Sequence, residues 1–221
     1  MSFLVKKMED GTFMPTTAGY TVLVILLILV LIIGNLIFNR GKKLSVKQIA
    51  FSAMAIALGF LTSNIKLIKM PMGGSVTLLS MLFISLIGYW FGTANGILAG
   101  IAYGILQMLI DPYILSFPQM LTDYILAFGA LGLSGLFSKS KNGLIKGYIA
   151  AVLGRYFFAF LSGWIFFGMY ASDYGFKSDV VYSLAYNGAY LGLEAAITLV
   201  ILAIPSVRKG FATVKKMAVG E

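Results

Sequence analysis

Thr21–Phe38 reads TVLVILLILVLIIGNLIF, eighteen residues without a charge. A run of this length and apolarity signals a helix that crosses a bilayer. A cleaved signal peptide is the rival reading. The polar leader ahead of it is long, and no small-x-small cleavage site follows, so the spanning helix is the better reading. Residues 1–19 form that polar N-terminal leader, and Arg40, Lys42, Lys43 and Lys47 stand directly behind the apolar run.

Outward from this span, six more apolar segments follow. They cover about Val46–Leu61, Leu78–Phe91, Ala94–Ile110, Gln119–Phe137, Gly147–Tyr170 and Tyr182–Ile204. The composition agrees: 59% of residues are hydrophobic, 11% are charged, and the mean hydropathy is +0.92. Soluble domains are about 45–50% apolar and about 25% charged. The expected fold is therefore an all-α polytopic membrane bundle. Residues 20–39 supply an extra transmembrane helix, 46–205 a six-helix core, and 206–221 a basic cytoplasmic tail.

The formal charge of +9 suggests no nucleic-acid partner, because the basic residues flank apolar spans. With the loop after the first span taken as inside, eleven cations fall inside: Arg40, Lys42, Lys43, Lys47, Lys139, Lys141, Lys146, Arg208, Lys209, Lys215 and Lys216. Five fall outside: Lys6, Lys7, Lys66, Lys69 and Lys177. That asymmetry predicts an external N-terminus and a cytoplasmic C-terminus.

Several function classes lose their chemistry at once. The chain has neither Cys nor His, so thiolate and imidazole metal sites, His-based nucleophile pairs and disulfides are out. It has no GxxxxGK[ST] motif, so it carries no P-loop for ATP. No internal repeat of the secondary-transporter kind stands out. No cofactor and no catalytic residue is called for.

Ionisable residues inside spans are costly and mark functional candidates. Asp123, Arg155 and Glu194 qualify. Asp123, followed by Tyr124, either meets a cationic or hydrogen-donating ligand or favours a helix N-terminus through its dipole. Asn187 and Glu194 share a helix face; Asn187 either reads the edge of a heterocycle or holds the bundle together. Glu194 either pairs with Arg155 or faces a cavity. The aromatic sixth span offers Tyr156, Trp164, Phe167 and Tyr170 as stacking surfaces. In KMPMGGSVTLLSM, Lys69–Met81, the residues Pro71, Gly73 and Gly74 interrupt any helix, and the segment reads as a lid or cavity-lining loop. Ala53 and Ala57 form a small-xxx-small pair that allows close helix approach.

These features in this order resemble the S components of energy-coupling factor (ECF) vitamin transporters, most closely the thiamine-specific ones. The resemblance covers about Gln48 to Pro205. It rests on Ala53/Ala57, MPMGGSVTLLSM, YILSFPQMLTDYILAFGALGLSGLF, GRYFFAFLSGWIFFGMYA and YSLAYNG. It implies a membrane cup that captures a vitamin and docks, through the Ala53/Ala57 face, on a transmembrane coupling protein with two ATPase subunits. ATP hydrolysis would belong to those partners. It also implies that Asp123 and Tyr124 hold a thiazolium end, that Tyr182 and Asn187 read an aminopyrimidine, and that Tyr156 and Phe167 add aromatic surface. The chain departs from the family pattern: a His of the family falls at Ala159, a stacking Trp at Phe167, and a Glu at Asp123. Glu194 is an added carboxylate. Thiamine is the expected ligand, with a pyridoxine form or a thiamine pyrimidine precursor as the alternative vitamin. An intramembrane enzyme and a stand-alone facilitator are the readings of another class.

Overall fold

The computed structural model describes residues 3–9, 11–38, 44–71 and 74–220. Arg40, Lys42 and Lys43, counted above for topology, and Gly73 of the candidate lid lie outside these. Among the described residues, eight helical segments of twelve residues or more follow one another: α1 (Thr17–Phe38), α2 (Val46–Ser63), α3 (Ser80–Phe91), α4 (Thr93–Ile110), α5 (Phe117–Phe137), α6 (Gly143–Phe167), α7 (Asp179–Ala203) and α8 (Pro205–Val219). Two antiparallel hairpins accompany them, β1 (Val5–Lys7) with β2 (Phe13–Pro15), and β3 (Lys66–Lys69) with β4 (Ser75–Thr77).

Six of the helices are long and apolar enough to cross a membrane: α1, α2, α4, α5, α6 with its continuation to Tyr170, and α7. The chain is a membrane helical bundle. The seventh expected span is different. Helix α3 has 12 residues, about 18 Å of rise, and is shorter than the other expected spans. It is also walled in by protein: Met81, Leu82 and Ile84 are fully buried. Its hydrophobicity serves an interior, not lipid. The shortening has a local cause. Strand β4 occupies Ser75–Thr77, and Leu79 sits in the left-handed region at φ 63°, so the helix begins only at Ser80.

Local sequence sets the other helix ends. Ser45 caps α2 in a reciprocal box with Gln48, at 3.1 and 2.9 Å. Ser116 caps α5, and Pro118 stands in its first turn, where a missing N–H costs nothing. Helix α5 is not uniform: Leu121–Leu126 is wound as a π-helix and Ala130–Phe137 as a 3₁₀-helix. A π-turn rotates the side chains that follow it and recurs at functional sites. Helix α4 lies tight against this turn, since a Cβ on Gly104 would overlap the Tyr124 carbonyl.

The ends of the chain are more ordered than expected. The leader forms the β1–β2 hairpin, and α1 lies against α4, with Leu98 packed at Gly34. The expected tail is the amphipathic helix α8. Val207, Phe211, Val214 and Ala218 face the bundle, where α8 meets α2 and α3. Lys215 donates to the Ser138 carbonyl at 2.6 Å and lies 3.9 Å over the Tyr89 ring.

Candidate functional site

A cavity of about 180 Å³ lies among α4, α5, α6, α7 and the β3–β4 hairpin. Its depth follows from helix periodicity. On α6, Arg155, Ala159, Ser162 and Gly163 recur at three- and four-residue steps and share the cavity face. On α7, Asn187, Tyr190 and Glu194 do the same. Tyr113, Phe167, Tyr182, Lys66 and Asp111 also line it.

Asp123 projects from the π-turn. Its Oδ2 accepts from Gln119 Nε2 at 2.7 Å and from Ser162 Oγ at 2.8 Å. Among the described residues its Oδ1 accepts nothing, so half of the carboxylate is open to the cavity. The Tyr124 hydroxyl is committed elsewhere: it accepts from the Tyr113 N–H at 2.8 Å and donates to the Asp111 carbonyl at 3.3 Å. Tyr124 thereby fixes the segment between α4 and α5 and is itself one of the lining residues.

Asn187 is buried. Its Nδ2 donates to the Ser183 carbonyl at 3.0 Å and approaches Ser183 Oγ at 3.2 Å, while its Oδ1 accepts from the Tyr190 hydroxyl at 3.1 Å. Gly163 makes room for it: a Cβ there would lie 2.6 Å from Asn187 Nδ2. Tyr182 is buried in a cluster of Tyr174, Phe176 and Tyr186 rings, at 5.5 to 5.7 Å between centroids. Its hydroxyl has no hydrogen-bond partner among the described residues. A buried hydroxyl left unpaired is costly, and in a cavity wall it marks a place for a ligand atom. Phe167 stacks on Tyr113, 5.9 Å apart and 28° between planes, which makes an aromatic pair in the cavity wall.

Glu194 is spoken for. It accepts from the Thr77 N–H at 3.3 Å, Thr77 Oγ1 at 2.6 Å, Ser80 Oγ at 3.0 Å and the Met81 N–H at 3.1 Å. These groups belong to β4 and the first turn of α3, so the carboxylate serves as an N-terminal cap supplied from another helix. No ion pair joins it to Arg155 among the described residues. The Arg155 guanidinium instead lies 4.1 Å from the Phe128 ring centroid.

The structure thus gathers Asp123, Tyr124, Phe167, Tyr182, Asn187 and Glu194 around one cavity and leaves Tyr156 out. Tyr156 is one position, about 100° of helix turn, beyond Arg155. Its hydroxyl donates to the Leu184 carbonyl at 3.0 Å, and it lines a separate apolar groove between α6 and α7. Gln119, Ser162, Gly163, Tyr113 and Tyr186 line the cavity without having been singled out. Gln119 was within reach, four residues before Asp123 on the same helical face. Ser162 carried no sequence signal, because only the packing of α6 on α5 brings it to Asp123.

Gly74, Ser75 and Thr77 of the β3–β4 hairpin line the cavity, and the Met70 N–H bonds the Gly74 carbonyl at 3.1 Å. Lys66 of β3 pairs with Asp111, at the C-terminus of α4. The hydrogen bond from Lys66 holds the Asp111 carboxyl below its usual range.

Comparison with known proteins bears on this cavity. The model of the thiamine transporter protein family matches residues 49–212. Thiamine transporter ThiT of Bacillus subtilis is 34% identical over 182 residues, which span 75% of this chain and 92% of that protein. Thiamine transporter ThiT of Lacticaseibacillus paracasei is 27% identical over 173 residues, 69% of this chain and 81% of that one. A solved structure of ThiT from Listeria monocytogenes superposes with a TM-score of 0.58 at 26% identity, covering 72% of this chain and 96% of that one. With the family model matched over most of its length and the Bacillus relative nearly spanned, this chain belongs to the thiamine transporter protein family.

Proposed function

We propose that the protein is a thiamine-binding S component, which captures the vitamin outside the cell for uptake driven by partner subunits. The observation that carries the reading is the open Oδ1 of Asp123 inside an aromatic-lined cavity. Thiamine brings a permanent thiazolium cation and an aminopyrimidine with donors and acceptors on its edge. Asp123 supplies the anion for the first. Tyr182, with its unpaired hydroxyl, and Asn187 supply polar contact for the second. Phe167 and Tyr113 flank a flat ring. Glu194 shapes the cavity wall while its oxygens stay on Thr77, Ser80 and Met81.

The cavity would open outward, with the N-terminus outside and α8 on the cytoplasmic side, as the charge asymmetry supports. The β3–β4 hairpin would cover the bound ligand. Docking on an ECF coupling protein would use α2, whose Ala53 and Ala57 are exposed beside Met54 and Leu58. Such a surface of small and flexible apolar residues suits close helix packing in a bilayer.

Isothermal titration calorimetry of the purified protein with thiamine tests the reading. Binding is expected, and Asp123→Asn should weaken it at least tenfold, about 1.4 kcal/mol. Absence of thiamine binding, or a co-purified pyridoxine-like mass in native mass spectrometry, would overturn the assignment.

A further inference from the structure

The N-terminal hairpin and α1 lie outside residues 49–212, the segment the family model matches. The hairpin nonetheless reaches the segment between α4 and α5, which borders the binding cavity. The Phe13 N–H donates to the Ile114 carbonyl at 2.7 Å, and the two residues form an antiparallel bridge. In the hairpin register Phe13 faces Lys7, and its N–H points away from that partner strand, leaving it for Ile114. Thr12 and Ile114 are both buried at this junction, and Phe13 packs against the core. The hairpin itself is tied at its base, with Thr16 N–H on the Leu4 carbonyl at 3.0 Å and Thr16 Oγ1 on the Phe3 carbonyl at 2.8 Å.

Ile114 sits in the segment between α4 and α5, between the cavity-lining Tyr113 and Gln119. On one side is Tyr113, whose ring stacks on Phe167. On the other is Leu115, whose N–H donates to Gln119 Oε1 at 2.9 Å. Gln119 returns from Nε2 to the Tyr113 carbonyl at 3.1 Å and to Asp123 at 2.7 Å. A continuous set of bonds therefore runs from the hairpin through Ile114 and Gln119 to the carboxylate. A backbone bridge of this kind removes freedom from the receiving segment.

We infer that the N-terminal extension is a positioning element of the ligand site, the Phe13–Ile114 pairing holding Tyr113 in the cavity wall and Gln119 on Asp123 so that bound ligand leaves slowly. Phe13 and Ile114 touch no ligand; they act through Tyr113 and Gln119. The inference rests on the reading that this cavity binds thiamine.

The chain has no cysteine, which permits a reversible test. Residues facing each other across an antiparallel bridge have Cα atoms about 4.5–5.5 Å apart, within disulfide range. The full-length double variant Phe13→Cys with Ile114→Cys is compared oxidised and reduced, with the bond verified by mass. Thiamine dissociation, followed by surface plasmon resonance, should be slower when oxidised and recover on reduction. A second variant, Phe13→Pro, removes the N–H and should raise the dissociation rate about fivefold, roughly 1 kcal/mol, with the association rate little changed. Phe13→Leu keeps the N–H and should restore the wild-type rate. Equal dissociation rates for oxidised and reduced protein, or a wild-type rate in Phe13→Pro, would overturn the inference. If the wild-type chain itself fails to bind thiamine, the functional reading falls instead.

Discussion

Asp123 and Glu194 are both carboxylates inside apolar spans, seated in the same cavity wall, and their surroundings differ completely. Glu194 has four donors from β4 and the start of α3 around its two oxygens. Asp123 has two donors, both on Oδ2, and an open Oδ1. A saturated carboxylate is a structural part whose removal strands its donors. A half-satisfied one has capacity left for a ligand. An ionisable residue in a membrane span thus poses a question that only its partner count answers.

The comparison can be broken most directly at the saturated site. Glu194→Ala would leave several buried donors without an acceptor, an effect of about 3 kcal/mol or more. A large fall in the thermal midpoint of the ligand-free protein is expected. An unchanged midpoint would mean that Glu194 does not organise β4 and α3. Asp123→Asn should give the opposite profile, about 1.4 kcal/mol or more lost from thiamine binding while the ligand-free midpoint moves little. If the two variants behave alike in both measurements, the division of roles is wrong.

Tyr182→Phe sharpens the contrast further. The hydroxyl has no protein partner among the described residues, so its removal should leave stability unchanged or slightly improved. Thiamine affinity should fall by about 1 kcal/mol, roughly fivefold, if the ligand satisfies that oxygen. Equal affinity by calorimetry would take Tyr182 out of the polar contact. The smallest effect belongs to the Lys66–Asp111 pair, which is partly open to solvent. Its coupling in a double-mutant cycle should stay below about 1 kcal/mol. Because the Asp111 carboxyl lies below its usual range, what the pair contributes is present above that range and is lost only as pH falls through the lowered value. The coupling measured at pH 7 should therefore persist at pH 5.5.

Particular residues show where sequence reasoning stopped. The spans α1, α2, α4, α5, α6 and α7 were legible because a bilayer demands long uninterrupted apolar runs. Helix α3 is shorter and more buried than the expected segment, because apolarity does not distinguish lipid from a protein interior, and its position inside the bundle depends on neighbours far away in sequence. Tyr156 was drawn in by its aromatic character, although it stands one residue off the face that Arg155 and Ala159 share. Arg155 and Glu194 looked like a pair by opposite charge. In the fold, a ring face takes one and a helix start takes the other.

The sequence by itself determined that this chain lives in a membrane, roughly where it crosses, and that Asp123, Asn187 and Glu194 are its costly polar residues. Those properties follow from local composition, since burying charge in lipid is expensive wherever the chain goes. Tertiary structure alone decided which carboxylate keeps an oxygen open, which cavity-lining tyrosine keeps an unpaired hydroxyl, and that the N-terminal hairpin pairs with the segment between α4 and α5. Those outcomes depend on donors brought together from segments distant in sequence, such as Thr77 with Glu194 and Ser162 with Asp123, and no local pattern encodes that meeting.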